Sequence, residues 1–206
     1  MPGTIPSAAR NNLGMPKLIA DVVEPGRLST SEQPVLRIDG DLQLRPFRHD
    51  DVAAVVAAFA TPDIQYFHFR RLDEEEAVQW IDERAAGWRS EQSATWAIAD
   101  QRTGDVLGRV TVYLRLAEGH GEVSYWVLPA ARQRGVATRA CVAATRWAHT
   151  LGLHRIELQH SSTNDASARV AERAGFRREG VRRQASLLVD GWHDMVLHSH
   201  LATDPV

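Results

Sequence analysis

Apolar residues recur along this chain at two periods, and the switches between them divide it into strands and helices. The alternation Leu42-Gln43-Leu44 predicts a first strand, stopped by Pro46. Asp50 stands before an apolar helix expected over 52–60, which breaks ahead of Pro62. A second helix is signalled by Asp73 and Glu76, spaced as a capping box, after which Val78, Ile81, Ala85 and Trp88 fall on one face. Strand-like runs follow over 95–99, 106–114 and 122–128, separated by the turn-rich Gln101-Arg102-Thr103-Gly104-Asp105 and Ala117-Glu118-Gly119-His120-Gly121. The strongest helical signal comes next: Val136, Ala140, Ala143, Trp147 and Leu151 share a face, and Gly152 stands where a C-terminal cap belongs. Beyond it, 155–160 alternates as a strand and a short helix runs from Asn164 towards Gly175. The runs 182–189 and 192–200 flank Asp190-Gly191 as a closing hairpin. This order predicts an α+β fold, a mixed and mostly antiparallel sheet of about seven strands flanked by about four helices.

The first 36 residues break both periods. They carry Pro2, Gly3, Pro6, Gly14, Pro16, Pro25, Gly26 and Pro34, and are expected to form an extension ahead of one domain over 37–206. Whether that extension covers the domain or reaches a partner subunit is open in the sequence. A chain of 206 residues with 44% apolar content can bury one sizeable core. Its net charge of −2 gives no general reason to expect nucleic acid or membrane as partner. The single cysteine, Cys141, excludes an internal disulfide and, inside a helix, suits a packed thiol better than a nucleophile. With no signal-like or membrane-length apolar run, a cytoplasmic location is the expectation.

Candidate chemistry concentrates in Arg132-Gln133-Arg134-Gly135-Val136-Ala137-Thr138, between a strand and the strongest helix. Gly135 lets the backbone turn sharply and approach a ligand, and Ala137 keeps the next step small. A turn opening directly into a helix leaves the first helical N–H groups unpaired. With the positive end of the helix dipole and two arginines beside them, those donors suit a phosphate or pyrophosphate. The run is neither the dinucleotide fingerprint, lacking Gly-x-Gly-x-x-Gly, nor a P-loop, lacking Gly-Lys-Ser/Thr.

The spacing Arg132-x-x-Gly135-x-Ala137 resembles the pyrophosphate loop of the GNAT superfamily, the acetyl-CoA-dependent N-acetyltransferases. Downstream, Asn164-Asp165-Ala166-Ser167 with Gly175-Phe176 is similar to the Asn-x-x-Ser…Gly-Phe segment of its ribosomal-protein acetyltransferase (RimJ/RimL) branch. The likeness reaches upstream to Leu42-Gln43-Leu44-Arg45-Pro46-Phe47 and downstream to Leu188-Val189-Asp190-Gly191-Trp192. It departs at Ser124-Tyr125-Trp126, where the branch often has Gly-Tyr-Trp, and at Thr138-Arg139-Ala140, where it often has Thr-Glu-Ala.

This resemblance implies the GNAT fold, acetyl-CoA as co-substrate, and direct transfer of acetyl to a primary amine, either a protein N-terminal amino group or a small-molecule amine. A homodimer is expected by analogy. It further implies that the strand end at Trp126, Val127 and Leu128 pairs with the pantetheine arm and supplies an N–H to the thioester carbonyl. Pro129 has no N–H, so the candidate donors are Leu128 and Val127. Amides of the loop, with Arg132, Gln133, Arg134, Gly135, Val136, Ala137 and Thr138, would hold the pyrophosphate. Asn164 would bind the pantetheine amides, and Ser167 would donate to the leaving thiolate. Either could instead merely cap a helix. Glu122 is the first candidate base, with Glu157 and His120 in reserve and a water chain as a further option. The cluster Asp63-Ile64-Gln65-Tyr66-Phe67-His68-Phe69 is either a core plug or a wall of the acceptor pocket. His198 and His200, alternate residues with His193 nearby, could share a strand face as two ligands, but no Cys or carboxylate completes a metal set and acyl transfer needs none. A non-catalytic acyl-CoA-binding module of the same fold is the alternative function.

Overall fold

The computed structural model describes residues 19–38 and 40–205. Its strands form one eight-stranded sheet. In chain order they are β1 (Leu36–Arg37), β2 (Leu42–Arg45), β3 (Ser93–Asp100), β4 (Val106–Arg115), β5 (His120–Val127), β6 (Arg155–Ser161), β7 (Arg177–Leu188) and β8 (Gly191–Leu201). In space the order is β1-β2-β3-β4-β5-β6-β8-β7. All neighbours are antiparallel except β5 and β6, which are parallel. That single parallel step is forced by the crossover helix between them. The helices are α1 (Val52–Phe59), α2 (Pro62–His68), α3 (Glu74–Arg89), α4 (Val136–Leu151) and α5 (Asp165–Arg173).

The additional strand and helix, beyond seven and four, have simple causes. Strand β1 has only two residues, pairing with Leu44 and Gln43, too few to show an alternation. Helix α2 occupies the aromatic cluster; Pro62 opens it and Phe69, at φ 57, closes it in the left-handed region. Ile64 is its one buried residue and the His68 ring lies 5.5 Å from that of buried Phe59, while Phe67 and Phe69 are 40% and 58% exposed, so the segment plugs the core only in part. At α3 the capping box closes, Glu76 N–H to Asp73 Oδ1 at 2.8 Å and Asp73 N–H to Glu76 Oε2 at 2.9 Å. The closing hairpin turns at Val189-Asp190, one residue earlier than expected, because Leu188 pairs with Gly191. Its first strand begins at Arg177, where a run of exposed polar residues on a sheet edge conceals the alternation.

Helices cover the sheet on two sides. On the back, Val136, Ala140, Cys141, Ala144 and Ala148 of α4 and Ala171 of α5 pack on Trp96, Ile98, Val110, Val112, Val123, Ile156 and Leu158. The alanines let α4 lie close to the strands. On the front, α1 and α3 form a smaller cluster around Phe59, Trp80 and Ile81, and α2 packs Ile64 against Ala58 and Trp126. Among the described residues no helix is long and apolar enough to cross a membrane.

Of the expected extension, 1–18 lie outside the described residues, while the chain from Val22 onward is tied to the domain, beginning with Val22 N–H to the Ala117 carbonyl. Val23 and Leu28, at 5% and 3% exposure, enter the main core. Trp88 Nε1 donates to the Ser31 carbonyl and Trp96 Nε1 to the Pro34 carbonyl, each at 2.8 Å. The Glu91 carboxylate accepts from the N–H groups of Gly26, Leu28 and Ser29. Burial alone would raise that carboxyl, yet the backbone donors hold it below its ordinary value. Glu91→Ala orphans these amides and is expected to cost about 2 kcal/mol. The check is a lower thermal midpoint together with proteolytic cleavage in 19–35, and an unchanged cleavage pattern would count against Glu91 as the anchor.

Candidate active site

The parallel pair β5/β6 is short. Its register runs only from His120↔Arg155 to Glu122↔Glu157, although β5 continues to Val127 and β6 to Ser161. The two strands therefore part beyond Glu122 and leave a wedge with an unpaired strand edge on each side. In β5 the direction of the backbone groups alternates. Leu128 N–H donates to the Leu107 carbonyl at 2.9 Å, so the peptide groups of Leu128 and Trp126 face β4. Those of Tyr125 and Val127 face the wedge. Of the two candidate carbonyl donors, Leu128 is thus engaged elsewhere, and Val127 alone turns its N–H into the opening. The Trp126 side chain is buried against α2, and its backbone faces β4 and not the wedge.

The loop after β5 sits at the mouth of this wedge. A short 3-10 turn, Pro129–Ala131, ends the strand. Gln133 and Gly135 then take left-handed conformations, with φ of 60 and 70. The ladder of α4 begins with Arg139 N–H to the Gly135 carbonyl at 3.0 Å, so the amides of Val136, Ala137 and Thr138 precede it. Gly135 is exposed, and a Cβ there would meet nothing nearer than Arg139 Cδ at 4.0 Å. The arginines have unequal roles. Arg132 is tied down, donating from Nη1 to Asp63 Oδ2 at 2.6 Å and from Nε to the Val127 carbonyl at 3.2 Å. It braces the loop against α2, while Arg134, half exposed, lies 3.6 Å from Asp41, the carboxylate that also accepts from Arg139 at 3.0 Å.

At the back of the wedge Asn164 precedes α5, and its Oδ1 accepts the Ser167 N–H at 3.0 Å. The cap expected from residue preference is therefore formed, while the Asn164 side-chain N–H₂ has no partner in that bond and remains a donor for a ligand amide. Ser167 is half-buried, and its side chain faces the Tyr125 phenol. Tyr125 is a residue the sequence did not single out for a role: its hydroxyl is buried, and burial, then the neighbouring Cys141 thiol, push it well above the ordinary tyrosine range, with Ser167 opposing. Its signal was positional, since Tyr125 alternates with Trp126 on a strand whose edge opens. Cys141 is fully buried, and burial pushes its thiol up, which suits packing and not nucleophilic attack.

On the front face, at the apex of the wedge, Glu122 stands directly across from Glu157. Burial first, and then the Glu157 carboxylate, raise Glu122 above its ordinary value, with Arg115 and Arg182 opposing. Glu157 itself is paired, its Oε1 accepting from Arg155 Nε at 2.9 Å. His120, the other reserve base, lies opposite Arg155 at the closed end of the pair. The three hairpin histidines separate by face. His198 stacks on His160 with centroids 5.1 Å apart and His200 bonds His149 at 3.1 Å, both beneath the back helices, while His193 faces front. Among the described residues no three His, Cys, Asp or Glu side chains are grouped to hold a metal ion.

Comparison with known proteins agrees with this architecture. Residues 41–177 match the family described as the acetyltransferase (GNAT) domain. The N-acetyltransferase YoaA of Bacillus subtilis, itself uncharacterised, is 28% identical over 156 residues, 73% of this chain and 87% of that protein. Among solved structures, an acetyltransferase of the GNAT family from Bacillus anthracis superposes with a TM-score of 0.73 at 21% identity, over 83% of this chain and 100% of that one. The ribosomal α-N-protein acetyltransferase RimL, solved in complex with coenzyme A, gives 0.71 at 20% identity, over 82% and 98%. The solved proteins share this overall α+β fold, and the chain belongs to the GNAT acetyltransferase family as an N-acetyltransferase.

Proposed function

We propose that the chain transfers the acetyl group of acetyl-CoA directly to a primary amine, with the thioester in the β5/β6 wedge and the amine arriving from the front face. The observation that carries this is the parting of β5 and β6 at Glu122↔Glu157, with unpaired α4 amides at its mouth. The amides of Val136, Ala137 and Thr138, with Arg134, hold the pyrophosphate. The wedge-facing peptide groups of Tyr125 and the Asn164 side chain hold the pantetheine arm. Glu122 takes a proton from the attacking nitrogen, for which a carboxyl raised by burial is suited. Val127 N–H stabilises the carbonyl oxygen as negative charge develops on it. As the C–S bond breaks, Ser167 donates a proton to the departing thiolate.

The acceptor is a protein N-terminal amino group or a small-molecule amine, and the likeness to RimL favours the former. The test combines calorimetric titration with acetyl-CoA and thiol release with a panel of alanine- and serine-starting peptides, their N-acetylated counterparts, and polyamines. Turnover with free but not blocked N-termini is expected. Acetyl-CoA binding with no turnover across the panel favours the non-catalytic acyl-CoA-binding module, and no binding overturns the reading.

A further inference from the structure

Acetylating an ammonium group removes two protons from nitrogen and gives only one to the thiolate, so one proton must leave the site. Glu122 is poorly placed to release it, because it lies half-buried at the closed apex of the wedge. A chain of hydrogen bonds on the same front face leads outward instead. Ser161, the last residue of β6, is 1% exposed, and its Oγ lies 2.9 Å from Thr163 Oγ1 and 2.8 Å from His193 Nδ1. His193 Nε2 lies 2.8 Å from Asp190 Oδ1 in the hairpin turn. Tyr66 of α2 closes on the same carboxylate oxygen at 2.5 Å. The inner end adjoins the candidate cofactor bed: exposed Thr163 immediately precedes Asn164, whose N–H donates to the Ser161 carbonyl. At the outer end the Asp190 side chain is 58% exposed, whereas His193 is 11% exposed.

With His193 protonated on Nε2 the donors in this chain run in one direction, and the Tyr66 hydroxyl, 3.2 Å from Nε2, then donates to Asp190. With Nε2–H donating to the Asp190 carboxylate, Nδ1 is an acceptor, and the Ser161 hydroxyl must donate to it. Ser161 Oγ then accepts from the Thr163 hydroxyl. A hydroxyl at 1% exposure is out of reach of an acyl substrate, so the Ser-His-Asp order here does not signal hydrolysis.

We propose that Thr163, Ser161, His193 and Asp190 form a relay that carries the surplus proton of acetyl transfer from the wedge to solvent. The proposal rests on the transferase reading above. In the step, the ammonium proton passes to Thr163 Oγ1 as its own hydroxyl proton passes to Ser161 Oγ. The Ser161 proton passes to His193 Nδ1, and the Nε2 proton passes to Asp190 and on to water. His193 acts through Ser161 and is a positioning and relay residue, not a catalytic one. Among the described residues, the titratable groups facing it are Tyr66 from α2 and Asp190 from the turn; Ser161 faces it from β6.

Two arms test the relay. Nitrogen NMR of histidine-labelled full-length protein at pH 7 to 8 should show His193 neutral and protonated on Nε2 alone, and a mixture of tautomers overturns the chain whatever the activity. In turnover, with acetyl-CoA and the best amine of the panel above, His193→Gln should lower kcat about tenfold or more with KM for acetyl-CoA unchanged, and His193→Ala should be rescued by imidazole. Tyr66→Phe should leave kcat within about twofold, since Tyr66 lies beside the line of transfer. If Tyr66→Phe is as damaging as His193→Gln and imidazole rescues nothing, the cluster only latches α2 to the hairpin. If wild type binds no acetyl-CoA or acetylates no amine, the transferase reading fails and takes the relay's role with it, while the NMR arm still judges the hydrogen bonds.

Discussion

Gly135→Asp should abolish acetyl-CoA binding and leave the protein folded. The residue has φ of 70 and opens α4. A left-handed conformation costs an ordinary L-residue roughly 1–2 kcal/mol, but Asp tolerates it better than most and favours the position that caps a helix. There is room for the side chain, with Arg139 Cδ the nearest atom at 4.0 Å. The net change in stability should therefore stay within about 1 kcal/mol. Binding is a different matter, because the new carboxylate occupies the place where α4 presents its unpaired amides. Two like charges about 4 Å apart near a protein surface repel by about 4 kcal/mol, which corresponds to a loss of affinity on the order of a thousandfold. Gly135→Ala carries the same backbone strain without the charge and should bind within about tenfold of wild type. Calorimetry on both variants, with thermal melting as the folding control, separates the causes. Equal loss in both would point to a rearranged loop, and undiminished binding in Gly135→Asp would mean that α4 does not hold the pyrophosphate.

Features that depend on neighbouring residues were legible in the sequence, and those that depend on strand pairing were not. Helix α4 carries its own signals: an apolar stripe, and glycines at both ends that take left-handed conformations, Gly135 at φ 70 and Gly152 at φ 112. The capping box of α3 was visible for the same reason. The wedge was not visible, since it exists because β5 pairs with a strand some thirty residues away for three positions and then leaves it. No local pattern records where a parallel pair ends. The choice between Val127 and Leu128 as donor likewise depends on which edge of β5 faces β4, a parity fixed by the Leu107 carbonyl. Arg132 makes a contact that motif reasoning does not supply. The resemblance places it at the pyrophosphate, yet Asp63, on a helix formed far earlier in the chain, holds its side chain against α2. Ser161, His193 and Asp190 come from β6, β8 and the hairpin turn, so nothing in their spacing announces that they meet.

Glu122→Gln should slow acetyl transfer and stabilise the fold, two effects with one origin. The carboxyl is partly buried and faces Glu157 across the last paired position of β5 and β6. Burial and that second carboxylate raise it, so the folded protein holds the Glu122 proton more tightly than the unfolded chain does. Its contribution to stability is then complete below the unfolded value of about 4.3 and is lost as pH rises through the folded value. At neutral pH the ionised group is a liability that the wild type retains, which is expected of a base placed for catalysis and not for stability. Glutamine keeps the shape and cannot ionise. The melting temperature of the variant should therefore exceed that of wild type at pH 7 to 8, and the two should converge near pH 4. Turnover should fall about a hundredfold or more with little change in KM for acetyl-CoA, because the lost group acts on the amine. Wild-type kcat/KM should rise with pH through the ionisation of Glu122. Glu157→Gln removes the opposing carboxylate and should move that limb to lower pH, whereas His193→Gln should leave it in place. A variant that is stabilised yet fully active would show that Glu122 is merely a strained neighbour of Glu157 and that water takes the proton from the amine.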